Sequence, residues 1–304
     1  MKKLFTPPTL MVLASAVLWG TYGSMATVLM NMGLARNALT LLRFLVTAGS
    51  MGLLILAKDR SLLRIKKEDL PLFLANGLLS LFFFFYCYTA AIRITKVATA
   101  AALLYTAPAI VMVLSALLFH EKMTPGKVLC CLLAVAGCAL ASGLGNDLLS
   151  AGAAHPDAGS SAAGLSPAGL LFGLGAGLGY ALYSIFSRMI LDRGYAVYTN
   201  LFYSFGAGLL GQLVFSCADG SVLQLAEAPG RMGFGLICAF LTGPLAYYLY
   251  TTGMKGMETS RAARLAAVEP ATAALLGSFL LRQPLSATEA LGVAMIVGSV
   301  LLSG

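Results

Sequence analysis

The sequence predicts an all-α integral membrane protein with ten transmembrane helices, arranged as two inverted five-helix repeats, on three observations. The 304-residue chain is 59% hydrophobic and only 11% charged, with a mean hydropathy of +0.87, whereas soluble domains carry about 25% charged residues. Its apolar residues are grouped into ten runs, each of about the length that crosses a hydrocarbon core of ~30 Å. The two halves of the chain also match each other in sequence, which indicates a duplication.

The predicted helices are separated by short segments that hold most of the charged residues. In chain order the helices span 9–31, 38–57, 70–92, 97–119, 126–143, 167–190, 197–217, 232–252, 262–281 and 287–303. The first run contains Ala14-Ser15-Ala16, a sequence that a signal peptidase could cleave. It continues to about Met30, however, which is longer than the ~7–15 residues of a signal-peptide core. We therefore interpret it as the first transmembrane helix.

The duplication is visible when the chain is slid against itself by 162 residues. The segment 86–122 then matches 248–284 at ten positions without a gap, including Pro108 with Pro270. Each half holds five helices, an odd number, so the second half must enter the membrane in the opposite orientation and the repeats are inverted. We predict repeats at 1–143 and 167–304. The Gly-, Ala- and Ser-rich segment 144–166 between them, which has no Lys or Arg, is interpreted as a flexible external linker.

The basic residues predict the orientation in the membrane. With the N-terminus inside, the inner segments carry 14 of the 20 Lys and Arg residues and the outer segments carry 5, while Arg43 lies within helix 2. We therefore predict that both termini and the 58–69 loop are cytoplasmic. The net charge of +8 comes from these short loops rather than from one solvated face, so we predict no nucleic-acid partner.

Proline and glycine are expected to interrupt three helices. Pro108 lies in helix 4, Gly243-Pro244 in helix 8 and Pro270 in helix 9. Proline removes a backbone donor and crowds the preceding turn, and such breaks are tolerated in a membrane only where the backbone faces protein or a cavity. We predict that these helices form a site or move, with a static packing kink as the alternative.

Glu269 is the one acidic residue predicted near the middle of the membrane, about a dozen ångströms from either surface at the ~1.5 Å rise of a helix. A carboxylate in hydrocarbon costs on the order of several kcal/mol unless it is protonated or paired. We therefore predict that Glu269 either exchanges a proton or binds a cationic group of a ligand. The alternative is a neutral glutamic acid that braces the Pro270 kink.

Aromatic and hydroxyl side chains are predicted at a common depth, several residues inside their helices. A tyrosine near a helix end is usually an interface anchor, but a hydroxyl at this depth needs a partner or water. We predict one central cavity between the repeats, with Tyr180 as a further candidate for its lining and with Glu269 as its acid. The predicted binding residues are Trp19, Tyr22, Tyr105, Tyr183, Ser184, Tyr247 and Glu269.

Arg43 is the one cation predicted inside a span, about five residues from the outer surface. It either extends to the outer headgroups or pairs with a carboxylate or an anionic group inside the protein.

We predict neither a metal nor a cofactor. The six cysteines all fall within predicted helices, and the two histidines, His120 and His155, lie at a helix end and in the linker. The pattern also lacks the catalytic constellation of an enzyme and the rings of like groups that line a channel. We therefore favour a transporter, and keep an intramembrane enzyme and a channel as the alternatives.

An ordered set of short motifs extends over essentially the whole chain. They are Trp19-Gly20 in helix 1, Arg43-Phe44 in helix 2, the alanine run to Pro108 in helix 4 that closes at His120-Glu121, and Pro270 in helix 9. In this set the chain resembles EamA-like members of the drug/metabolite transporter superfamily. It departs from them at Gln283, where a second glutamate equivalent to Glu121 is expected.

The resemblance implies ten helices in two inverted repeats and a secondary transporter that moves a small metabolite by alternating access across a bacterial inner membrane, often outward. The cavity suits an amino acid, an amine or a similar molecule, and protons are the candidate coupling ion. We expect a monomer or a homodimer in the lipid bilayer.

Overall fold

The computed structural model describes residues 6–95, 97–144, 166–227, 229–280 and 285–302. Within these ranges the protein is helical and contains no strand. Most of the predicted linker, residues 145–165, and Gln283 lie outside the described residues.

We number the long helices in chain order. The uninterrupted ones are helix 1 (Pro7–Asn31), helix 2 (Arg36–Lys58), helix 5 (Pro125–Ala141), helix 6 (Pro167–Asp192), helix 7 (Val197–Ala218) and helix 10 (Ala287–Leu302). The interrupted ones are helix 3 (Leu70–Ala75, Asn76–Phe82 and Phe83–Ile94), helix 4 (Val97–Leu104 and Ala107–Phe119), helix 8 (Pro229–Phe240, Leu241–Leu245 and Ala246–Met254) and helix 9 (Thr259–Ala266 and Val268–Leu280). A short helix, Ser221–Glu227, connects helices 7 and 8, and two 3₁₀ turns, Arg60–Leu63 and Lys67–Asp69, connect helices 2 and 3.

Seven of these helices, helices 1 to 4 and 6 to 8, are long and apolar enough to cross a membrane. Helices 5 and 10 are apolar but shorter, at 17 and 16 residues. Helix 9, predicted as one run, is divided at Ala267 into pieces of 8 and 13 residues. The protein is therefore an all-helical, multi-pass membrane protein.

The surface of the helix bundle is apolar, as expected for contact with lipid. Phe279 is 83% exposed, Val214 74% and Leu171 71%. Exposed apolar side chains on this scale are unusual in a soluble monomer and indicate a membrane surface.

The interruptions take two forms, a break before a proline and a π-helical segment. Helix 4 breaks at Tyr105-Thr106, just before Pro108, and helix 9 breaks just before Pro270. Helix 8 stays continuous through Pro244 by widening into a π-helix over Leu241–Leu245. Helix 3 also has a π-helical segment, Asn76–Phe82, although it contains no proline there. The sequence analysis did not predict this fourth interruption.

The helices pack in a regular pattern of neighbours. Helix 2 packs on helix 7 and helix 5 on helix 10, while helix 1 packs on helices 8 and 9 and helix 6 on helices 3 and 4. Glycines bring the backbones together at two of the interruptions. A Cβ atom at Gly20 of helix 1 would lie 2.7 Å from the Glu269 carbonyl oxygen, and one at Gly177 of helix 6 would lie 3.0 Å from the Leu103 carbonyl oxygen. Helices 1 and 6 thus support the broken regions of helices 9 and 4.

Candidate functional site

A cavity of about 580 Å³ lies mainly among helices 1, 2, 3, 4, 8 and 9. Its volume is in the usual range for a small-molecule site. Thr27, Met30 and Arg36 line it near the end of the molecule where helix 1 ends and helix 2 begins. Trp19, Tyr180 and Tyr247 line its other end, deep in the bundle. The cavity is thus a blind pocket with an aromatic floor.

Glu269 enters this cavity from the first turn of the second piece of helix 9. The Tyr180 hydroxyl donates a hydrogen bond to Glu269 Oε2 at 3.2 Å, and the Tyr105 hydroxyl interacts with the same carboxyl group. The break before Val268 leaves a helix N-terminus beside the carboxyl, and a helix N-terminus favours negative charge. Among the described residues, no Lys or Arg lies within ion-pair distance of Glu269.

Arg43 lies on the same cavity and points into the protein rather than toward the outer headgroups. It is only 5% exposed, and its Nη2 donates to the Thr242 carbonyl oxygen at 2.7 Å. The guanidinium carbon lies 4.5 Å from the centre of the Tyr22 ring and 5.2 Å from that of Phe85. The Nε atom of Arg43 has no hydrogen-bond partner in the structure. Arg43 is therefore held inside by a backbone carbonyl and two aromatic rings, with its Nε atom buried, while the residue lines the cavity.

The π-helical segment of helix 8 explains why the Thr242 carbonyl is available. Widening of a helix at a π-turn disturbs the regular hydrogen-bond ladder, so side chains can bond to its carbonyls. Trp19 Nε1 also donates to this oxygen, at 3.2 Å. Gly243 keeps the segment close to helix 2, since a Cβ atom there would lie 2.5 Å from Thr47 Oγ1. One carbonyl thus joins helices 1, 2 and 8 beside the cavity.

Two of the predicted binding residues do not line this cavity. Tyr183 and Ser184 are buried beneath its floor, 5% and 1% exposed. The Tyr183 hydroxyl lies 2.8 Å from Thr251 Oγ1, and Ser184 Oγ lies 2.7 Å from the Tyr250 hydroxyl. Helix 6 presents Tyr180 to the cavity instead. Tyr183 and Ser184, one turn later, bond to helix 8. The prediction of one common cavity is therefore wrong for these two residues.

The remaining predicted residues are brought together. Trp19, Tyr22, Tyr105, Tyr247 and Glu269 all line the cavity, and the ring centres of Trp19 and Tyr247 are 5.0 Å apart. Of the predicted helix breaks, Pro270 lines it directly, whereas Pro108 and the pair Gly243-Pro244 are buried. The sequence analysis missed Phe85 and Tyr88 of helix 3 as lining residues. Tyr88 coincides with Tyr250 when the chain is slid by 162 residues, and this match was a signal that could have identified it.

The matching family model and the relatives similar in sequence are both named as transporters. The model of the EamA-like transporter family matches residues 6–143 and, separately, residues 167–304. An uncharacterized transporter of Archaeoglobus fulgidus is 30% identical over 216 residues, 71% of this chain and 70% of the relative. The uncharacterized transporter YwfM of Bacillus subtilis is 29% identical over 307 residues, 97% of this chain and 93% of the relative.

A protein of known crystal structure has a similar fold. Its TM-score is 0.76 at 19% sequence identity, over 98% of this chain and 97% of that protein. At this identity the similarity concerns the fold alone.

Proposed function

Because this chain belongs to the EamA-like transporter family and is a multi-pass membrane transporter, we propose that it moves a small metabolite by alternating access. The observation that carries the proposal is the blind cavity, in which Arg43 and Glu269 lie beside interruptions of helices 8 and 9. Interrupted helices that meet at a polar site within the membrane are typical of secondary transporters.

We propose that the chain is built from two inverted five-helix repeats, 1–143 and 167–304, with 144–166 as the linker. The separate matches of the family model to 6–143 and 167–304 support a duplication. The packing pattern supports it too. Helix 1 packs on helices 8 and 9 of the other half, and its counterpart in the second half, helix 6, packs on helices 3 and 4, the counterparts of helices 8 and 9. The π-helical segments, Asn76–Phe82 and Leu241–Leu245, begin 165 residues apart and so occupy similar positions in the two halves.

We propose that the structure represents a state open to the outside of the cytoplasmic membrane. The distribution of Lys and Arg predicts that the Arg36 end of the molecule is external and that both termini are cytoplasmic. The opposite end is closed by interactions between segments. Lys127 Nζ lies 2.6 Å from Glu258 Oε2, and Glu121 accepts a hydrogen bond from the Thr259 backbone N–H at 2.7 Å.

The chemistry of the cavity supports an amino acid, an amine or a similar molecule as substrate. Glu269 can bind a cationic group, the guanidinium of Arg43 can donate to an anionic or carbonyl group, and the aromatic floor can hold an apolar body. Glu269 is also the candidate for proton exchange, because it is the acidic group on the cavity and two tyrosine hydroxyls surround it. Export is the direction that we propose.

Purified protein in liposomes tests this function. We expect saturable, concentrative movement of an amino acid or amine in the presence of a pH gradient, for at least one member of a substrate panel. Chemical conversion of the substrate would instead indicate an intramembrane enzyme, and single-channel currents would indicate a pore. Ligand-induced thermal stabilisation across the same panel selects the candidates, because a ligand that binds only the folded protein raises its apparent stability.

A further inference from the structure

Four polar side chains meet in the closed half of the molecule, where helices 3, 6 and 7 pack together. We call them the inner polar cluster: Asn76, Ser187, Asn200 and Ser204, each fully buried. Asn76 Nδ2 lies 3.0 Å from Asn200 Oδ1, 2.9 Å from Ser204 Oγ and 3.3 Å from Ser187 Oγ, and its two hydrogens can donate to the two nearer oxygens. Asn200 Nδ2 has no hydrogen-bond partner among the residues that the structure describes. Buried amide groups are nearly always paired, so this donor indicates a site that is incomplete in the closed arrangement.

Polar groups connect this cluster to the floor of the cavity. Ser80 Oγ donates to Asn76 Oδ1 at 2.9 Å, and Ser80 lines a small void together with Tyr183, Ser184 and Tyr250. The void measures about 10 Å³, which is close to the space that one water molecule needs. The same void touches Trp19, Tyr180 and Tyr247 of the cavity floor. A line of hydroxyl and amide groups therefore leads from the cavity to the cluster.

The cluster occupies the place in one half of the chain that Arg43 occupies in the other. Asn76 begins the π-helical segment of helix 3, as Leu241 begins that of helix 8. Ser204 is the eighth residue of helix 7, as Arg43 is the eighth residue of helix 2. Arg43 bonds to the helix 8 segment, and Ser204 bonds to the helix 3 segment. The outer π-segment bonds to Arg43 and Trp19, which line the open cavity, whereas the inner one belongs to a packed cluster.

The segment between helices 2 and 3 covers the cluster from the nearer end of the bundle. The Tyr203 hydroxyl donates to the Leu63 carbonyl at 2.6 Å, and Thr199 Oγ1 donates to the Leu62 carbonyl at 2.8 Å. Asp69 accepts from Arg193 Nη1 and from the Tyr195 hydroxyl, both at 2.5 Å. These contacts attach residues 59–69 to helices 6 and 7. The segment therefore closes this end of the bundle over the cluster.

We infer that the inner polar cluster lines a second vestibule, which is closed here and opens toward the 58–69 loop when the outer cavity closes. Its amide and hydroxyl groups, all uncharged, then bind water and the polar end of the transported molecule. The inference rests on the proposed transport function, but its first test does not require a known substrate.

That test measures how fast a membrane-impermeant maleimide labels cysteines at the cluster. Ser187→Cys and Ser204→Cys are each compared with Ser299→Cys, an equally buried serine of helix 10 that bonds only to its own helix. Reagent is added separately to the two faces of membrane vesicles. The labelling of the parent protein, which has six native cysteines, is subtracted from that of each variant. From the 58–69 face we expect rates roughly tenfold above the Ser299→Cys control, because only the vestibule opens to water. Adding Asp69→Asn, which weakens the closure, should increase the rate further.

Two results would overturn the inference. Labelling from the opposite face alone would assign the cluster to the outer cavity. Rates as low as those of Ser299→Cys from both faces, with Asp69→Asn also present, would mean that the cluster is permanently packed. Neither result depends on transport, so a failure of the proposed function is seen separately in the liposome assay.

A separate variant tests whether the inner polar cluster binds the transported molecule. Asn200→Leu keeps the number and branching of the side-chain heavy atoms but removes the amide, so transport of an identified substrate should slow about tenfold, equivalent to one lost hydrogen bond of ~1.4 kcal/mol. Binding of that substrate at the outer cavity should not change. Transport at the parental rate would show that the cluster does not bind the substrate.

Discussion

Gly20→Ala is expected to damage the site without touching a ligand. A Cβ atom at Gly20 would lie 2.7 Å from the Glu269 carbonyl oxygen and 2.6 Å from Thr272 Cβ. An ordinary contact needs about 3.4 Å or more, so helices 1 and 9 must separate by roughly 0.7 Å. Overpacking of this kind costs about 1–3 kcal/mol, against a gain of about 0.5–1 kcal/mol from replacing glycine in a helix. The net loss of unfolding free energy should therefore lie between about 0 and 2.5 kcal/mol.

We expect the same displacement to shift Glu269 relative to Tyr180, its partner on helix 6. The Tyr180 hydroxyl is already 3.2 Å from Glu269 Oε2, and an added ~0.7 Å exceeds the range of a hydrogen bond. Transport should therefore fall together with stability. Gly49→Ala is the matched control, because Gly49 lies within helix 2 with nothing within 4 Å of its Cβ position. That variant should be as stable as the parent or slightly more stable.

The assay is thermal unfolding of both variants in one detergent, followed by transport in liposomes. The reasoning is refuted if Gly20→Ala unfolds at the same temperature as Gly49→Ala and transports at the parental rate. The contact of helix 1 with helix 9 would then not fix the position of Glu269.

Three further predictions concern charge and topology. Glu269→Gln should remove the dependence of transport on pH across about pH 5.5–8, or weaken the affinity for cationic substrates, because the amide keeps the shape but cannot titrate; unchanged transport and affinity at every pH would leave Glu269 as a brace for Pro270. Arg43→Lys should reduce substrate affinity about 10- to 100-fold, since lysine keeps the charge but loses both the forked guanidinium donors and the planar stacking; an unchanged Kd would exclude Arg43 from binding. Ser160→Cys, in the linker outside the described residues, should react with an impermeant reagent from the external face only, and labelling from the inner face alone would reverse the proposed topology.

The class of fold could be predicted because it follows from composition and from the length of apolar runs. The interruptions of helices 4, 8 and 9 carry a local signal, since proline cannot donate a backbone hydrogen bond. The π-helical segment of helix 3 carries no such signal. Asn76-Gly77 was the available indication, because an amide within a membrane helix requires partners, but those partners, Asn200 and Ser204, lie more than a hundred residues away.

Depth along a helix could be predicted, whereas direction around it could not. Tyr180 and Tyr183 were placed at one depth, yet only Tyr180 lines the cavity while Tyr183 bonds to Thr251. For Arg43 the depth allowed either the headgroups or the interior. The hydrogen bond to the Thr242 carbonyl holds Arg43 in the interior. Sequence reasoning could not find this acceptor, because it lies 199 residues from Arg43 in the chain.

Trp19 offers the most direct measurement of the central claim, that the transported molecule binds in this cavity. It is the single tryptophan of the chain, and it forms part of the cavity floor, 5.0 Å from the Tyr247 ring. Intrinsic tryptophan emission therefore reports on the cavity alone. We predict that a transported substrate changes this emission saturably, with a Kd that matches half-saturation of binding measured by thermal stabilisation, and that Trp19→Phe abolishes the signal. A substrate that is transported saturably but leaves the Trp19 emission unchanged at every concentration would contradict the account.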